Sequence, residues 1–85
     1  MSDHLTIAMA LRKRGKDSVP VAEVGLREPI EYNDEGLDVF HEDEFDVRVH
    51  RSPAGQLYAT IQAPHGDLVR VPNADVLYCV LGETP

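Results

Sequence analysis

The side chains able to do chemistry in this 85-residue chain are its 15 carboxylates, four histidines, three tyrosines and a single cysteine. Seven of the acids, Asp34, Glu35, Asp38, Glu42, Asp43, Glu44 and Asp46, fall between residues 34 and 46, interleaved with apolar Leu37, Val39, Phe40 and Phe45. Carboxylates spaced in this way present a negative face to a basic protein surface, including one that normally holds nucleic acid, because they stand in for phosphates. The plainer account of the same residues is a solvated face kept acidic for solubility.

Metal and catalytic readings of these residues fare worse. A calcium loop needs ligands at fixed offsets, and Asn33, Asp34, Glu35 and Gly36 do not supply them. His41 and His50 with Glu42 or Asp43 lack a diagnostic zinc spacing, and one cysteine offers no pair. No metal and no cofactor is expected. Cys79 sits inside an apolar run with no base beside it in sequence, which reads as a buried thiol rather than a nucleophile. Ser52 belongs to a turn, and no serine lies in a G-x-S-x-G elbow. Acid and base work by two carboxylates needs a pocket that separates their pKa values, which a chain of this length rarely encloses. The expectation is a protein that is not an enzyme.

Composition sets the frame for these side chains. Eight Lys and Arg against 15 Asp and Glu give a net charge of -7, and residues 26–52 alone carry three bases and nine acids. Nucleic-acid and anionic-membrane binding call for clustered cations, so neither is expected directly. The 42% hydrophobic content is enough for a core and too much for disorder. A lone cysteine excludes a disulfide scaffold, and a chain this small gains stability by forming a homo-oligomer. Residues 5–11 are followed by Arg12, Lys13 and Arg14, the wrong charge order for a signal peptide. No apolar run approaches the roughly 18 residues of a membrane span, so the cytoplasm is the expected address.

The elements that must position these groups follow from periodicity. Residues 2–14 predict a helix capped at Ser2 or Asp3, with Leu5, Ala8, Met9 and Leu11 on its apolar face, three cations in its last turn and Gly15 as its stop. Residues 15–26 read as a connector holding a brief strand near 19–24. From 27 to 81 the pattern is antiparallel β. Residues 29–32 and 37–40 flank a turn at 33–36 whose Gly36 supplies a positive φ. Phe45, Val47 and Val49 alternate with polar residues, and after a turn at 52–55 so do Leu57, Ala59, Ile61 and Ala63. A strand at 68–71, a turn at 72–75 and a strand at 76–81 follow, and residues 82–85 form a tail. The last strand is apolar on both faces, which places it centrally, under the helix, or at a contact between copies made by Tyr78 and Val80. Tyr58, sharing a face with Thr60 and Gln62, is a candidate interface anchor.

One helix and five or six short strands within a single domain predict an α+β fold, either a bent antiparallel sheet or a small partly open barrel. The element order resembles small Sm-like or SH3-like barrels, a likeness of shape that carries no site. Arg12, Lys13, Arg14 and Lys16 complement the helix end, and Arg48, Arg51 and Arg70 are scattered, with no basic stripe between aromatics. Two functions are expected from this pattern. One is an acidic interaction module binding a basic protein surface, in the manner of accessory or inhibitory proteins of phages and mobile elements. The alternative is an assembly subunit packed through its helix and last strand.

Overall fold

The computed structural model describes residues 3–82; Ser2, one of the expected helix caps, and residues 83–85 of the expected tail lie outside them. One helix, α1 (Ile7–Arg14), precedes seven strands: β1 (Ser18–Pro20), β2 (Glu23–Tyr32), β3 (Glu35–His41), β4 (Asp46–Arg51), β5 (Leu57–Gln62), β6 (Leu68–Pro72) and β7 (Val76–Val80). A short 3-10 helix, Asn73–Asp75, leads into β7. All strand pairs are antiparallel. They form a four-stranded sheet in the order β1-β4-β5-β6 and a three-stranded sheet in the order β3-β2-β7. The α+β class with a bent antiparallel sheet is what the sequence predicts, but with seven strands, and neither sheet closes into a barrel. Neither sheet closes because its two outer strands, β1 and β6 in one and β3 and β7 in the other, do not pair with each other.

The helix is shorter than expected, for a local reason. Thr6, not Ser2 or Asp3, is the N-cap: its backbone is extended and its Oγ1 accepts from Met9 N at 3.1 Å. Leu5 is then free to pair with β7, its N–H donating to Cys79 O and its carbonyl accepting from Cys79 N, both at 2.8 Å. The C-terminal end is as expected, with Gly15 at φ 66° and Arg12, Lys13 and Arg14 in the last turn. Ile7, Ala10 and Leu11 are the buried face of α1, which packs against β1, β4, β5 and β7.

The chain changes sheet three times. At residues 21–22 Val21 N donates to Val47 O of one sheet, and Ala22 N donates to Val80 O of the other. Residues 42–45 carry it back, and the 3-10 helix makes the third crossing. What reads in the sequence as a connector thus holds β1 and the start of β2. The β2–β3 hairpin turns on two residues only: Asn33 at φ 52° and Asp34 at φ 65° take the left-handed conformations, while Glu35 and Gly36 already belong to β3. Gly36 serves closeness instead, since a Cβ there would meet Pro29 Cβ at 3.2 Å.

The β4–β5 hairpin has the expected register. Val47 lies opposite Ile61 and Val49 opposite Ala59, all four buried, so the polar partners Arg48 with Thr60 and His50 with Tyr58 fall on the outer face. β7 ends its sheet, pairing with β2 and bridged on its other side only at Leu5, and it packs against α1, so of the positions expected for it the one under the helix is found and the central one is not. Between the pairs Gly25 with Tyr78 and Leu26 with Val76, β7 has one extra residue, Leu77. That bulge turns Leu77 out of the core and leaves it 52% exposed.

Candidate functional site

The acidic residues do not form one uniform face. Asp34 and Glu35 lie at the tip of the β2–β3 hairpin, Asp38 in the middle of β3, and Glu42, Asp43 and Glu44 in the turn beyond the far end of β3. Asp46 opens β4, where its Oδ1 accepts from Arg48 Nε at 3.1 Å, so its charge is already partnered. The other described ion pair is Arg51 with Asp17 at 4.0 Å, and His41 Nδ1 lies 3.4 Å from Glu23 Oε1. Among the described residues, then, Asp34, Glu35, Asp38, Glu42, Asp43 and Glu44 have no cationic partner.

The turn at residues 42–45 is the part of this segment with defined geometry. His41 O accepts from Glu44 N at 3.2 Å and from Phe45 N at 2.9 Å, and Glu42 N donates to Ala22 O at 2.9 Å. Phe45 is buried and meets Phe40 and Tyr32 edge to face, with ring centroids 5.0 and 5.2 Å away. The turn is therefore anchored at its backbone and at its last side chain, while the three carboxylates between remain in water. They edge a surface depression of about 580 Å³ that also takes in Asp46, Pro20, Gln62 and Pro64.

Arginines scattered in sequence are gathered by strand register. On the outer face of the four-stranded sheet, Ser18, His50 and Tyr58 line up across β1, β4 and β5, and Arg48, Thr60 and Arg70 across β4, β5 and β6. Ser18 Oγ and His50 Nδ1 are 2.8 Å apart, as are His50 Nε2 and Thr60 Oγ1. His50 stacks on Tyr58 at 4.8 Å, and the Arg70 guanidinium lies 3.8 Å from the centre of the same ring. Partial burial, reinforced by Arg48 and Arg70, lowers the His50 pKa, so the neutral ring is the form held between the two hydroxyls. The signal for this cluster lies in the alternation of β4 and β5, which places His50 and Tyr58 outward; the contribution of Arg70 depends on a register that the sequence does not state. Tyr58 is thus engaged within its own sheet.

His41 and His50 belong to different sheets, and no described group of three His, Cys, Asp or Glu side chains is arranged to hold a metal. Tyr78 lies over Gly25, its ring stacked on His4 at 3.7 Å and its hydroxyl donating to Glu23 Oε2. That hydrogen bond, more than burial, raises the Tyr78 pKa to about 12. Val80, opposite Glu23, is half-buried. Cys79 is fully buried beside Thr6 O, and burial pushes its thiol up to about 11, the opposite of an activated nucleophile.

Comparison with protein families, with curated proteins and with solved structures finds no match to this chain.

Proposed function

We propose that this protein is a non-enzymatic interaction module that binds a basic protein surface through the turn carrying Glu42, Asp43 and Glu44. The observation that carries the reading is the combination in that turn of a fixed backbone with unpaired carboxylates. Three hydrogen bonds hold its main chain, and no described cation offsets its charge. Three like charges on consecutive residues repel one another, which costs stability and is relieved by a cationic partner. A preformed turn also lowers the ordering entropy that binding has to overcome. Asp34, Glu35 and Asp38 extend the negative field toward the hairpin tip and steer approach, whereas Asp46 contributes less because Arg48 already neutralises it.

Calorimetric titration with an octalysine peptide at low and high salt tests the reading. Charge reversal by Glu42→Lys, Asp43→Lys and Glu44→Lys together is expected to weaken binding at low salt by more than tenfold. The matched reversal of Asp34, Glu35 and Asp38 is expected to weaken it by only a few fold. Equal losses from the two triple variants would mean that total charge alone drives binding and would refute a role for the turn.

A further inference from the structure

β6 is the last strand of the four-stranded sheet and pairs with β5 alone, without a register shift. Successive residues of a strand turn their N–H and C=O groups to opposite sides. Val47 O accepts from Val21 N and Arg51 N donates to Asp17 O, so Val47, Val49 and Arg51 of β4 face β1, while Arg48 and His50 face β5. Carried across β5, the same alternation bonds Val69 and Val71 to β5 and turns the N–H and C=O groups of Leu68 and Arg70 outward, with no described strand paired to them. Pro72, which has no N–H, takes the next outward position. Across the gap beyond this edge lies β2, which does not pair with β6; with few exceptions the Cα atoms of the two strands are more than 8 Å apart. Two cavities, of about 240 and 270 Å³, open between these strands and share Ile30 and Val69 in their walls. One extends toward Tyr32 and Asp67, the other toward Leu26 and Pro72.

We infer that an extended segment of the basic partner adds to the free edge of β6 as a strand, with two apolar side chains entering the cavities and cations toward its ends; the inference rests on the proposed function above. Strand addition draws affinity from main-chain hydrogen bonds and selectivity from pockets that take alternate side chains, and this edge has both. Val69 and Val71 face inward, so the added residues opposite them face inward too, roughly 7 Å apart, a spacing that suits two openings separated by Ile30 and Val69. The residue between them lies on the outer face opposite Arg70, which selects against a cation there. Toward the ends charge selects the other way: the exposed ionic residues bordering the two openings are Glu28, Glu31, Asp67 and Asp75 against Arg70 alone. A second copy, paired antiparallel through its own β6 about Arg70, would set two guanidiniums opposite each other and bring a second excess of acids, so like charges oppose it. Phe45 and Ala63 line both the first cavity and the acidic depression, so a segment on this edge continues toward Glu42, Asp43 and Glu44.

The experiment is calorimetry and amide hydrogen exchange of the full chain with the blocked peptide Lys-Lys-Val-Thr-Val-Lys-Lys at low salt. The peptide is expected to slow exchange at Leu68 and Arg70, the two outward amides, more than at Val69 and Val71, which β5 already protects. N-methylation of its Val, Thr and Val keeps charge and side chains but removes the central donors, and is expected to weaken binding about tenfold, the combined effect of two hydrogen bonds worth a few fold each. Replacing both Val by Ser keeps the charge and empties the cavities, and is expected to weaken binding more than tenfold. Leu68→Pro, at the first residue of the strand, removes an outward N–H without removing a bond to β5 and is expected to weaken binding a few fold; the peptide comparisons need no variant and stand without it. The triple reversal at residues 42–44 is expected to bind the peptide more weakly yet still show protection at Leu68 and Arg70, which separates this inference from the turn's role. No binding, equal binding of the methylated or serine peptide, or protection confined to residues 42–45 would overturn strand addition, and in the last case the turn's role would stand. Protection at Leu68 and Arg70 that grows with protein concentration in the absence of peptide would make the occupant a second copy and overturn the assignment as well.

Discussion

Gly25→Ala offers a sharp test of the three-stranded sheet, because what opposes it is one side chain. A Cβ at residue 25 would clash with the Tyr78 ring, 2.6 Å from Cζ and 2.7 Å from Cδ2, so the ring has to move away. Displacing it breaks the hydroxyl's bond to the Glu23 carboxylate and the stack on His4. At a half-exposed position these are worth about 1 to 1.5 kcal/mol and about 0.5 to 1 kcal/mol respectively. Alanine regains about 0.5 to 1 kcal/mol over glycine in a strand interior. The net loss expected is about 1 kcal/mol, or roughly 4 to 8 °C in Tm for a domain of this size. In a Tyr78→Ala background the obstacle is absent, and the same substitution should instead stabilise by about 0.5 to 1 kcal/mol. The double-mutant cycle therefore has a coupling near 2 kcal/mol. Urea unfolding followed by far-ultraviolet circular dichroism measures all four corners without relying on tyrosine fluorescence. A Gly25→Ala effect of the same sign and size in both backgrounds would refute the packing argument. Sizing Tyr78→Ala in parallel tests the residue as a contact between copies, because only that role lowers the mass in solution.

Two further predictions concern titration and reactivity. His50 has its pKa lowered below the usual 6.5, first by burial and then by Arg48 and Arg70. The unfolded chain therefore binds the proton more readily: the contribution is fully present above about pH 6.5 and is lost as pH falls through the lower folded value. Urea midpoints measured between pH 7.5 and 5.5 should fall more steeply with acid in the native chain than in His50→Gln, and identical slopes would remove His50 as the cause. Cys79, with burial holding its thiol near 11, should react with a disulfide reagent at pH 8 only at the rate at which the protein opens. Added urea should accelerate that reaction in step with unfolding, and fast stoichiometric labelling of the native protein would contradict its burial.

The parts of this fold legible in the sequence are those set by local rules. Alternation over Val47, Val49, Ala59 and Ile61 identifies the inward face of the β4–β5 hairpin because one face of that pair is buried and the period is two. The helix end is legible because Gly15 and three cations satisfy the last turn by themselves. The helix start is not. Leu5 has the spacing of an apolar helix residue, but its backbone has a competing partner in Cys79, 74 residues away in sequence. The same long-range pairing hides the edge position of β7, since an apolar strand covered by Leu5 and α1 has the composition of a central one. At the β2–β3 turn, Gly36 draws attention as the residue with conformational freedom, yet Asn33 and Asp34 also tolerate the left-handed region and occupy it.

The same distinction decides how the charges are to be weighed. Acids adjacent in sequence are divided by β3 into a hairpin tip and an anchored turn, and Asp46 is withdrawn from the set by Arg48. Conversely, Arg48 and Arg70, 22 residues apart, come together on one sheet face with His50 and Tyr58. Taken as composition, that face has the cations and the aromatic ring of a platform for single-stranded nucleic acid. Taken as geometry, the ring is already used: His50 from β4 and Arg70 from β6 both lie against Tyr58, and each of the two hydroxyls beside His50 has a ring nitrogen as its partner. A base seeking to stack there would have to displace interactions that tie three strands together. The carboxylates of residues 42–44 face no such competition, and for that reason the binding proposal rests on them.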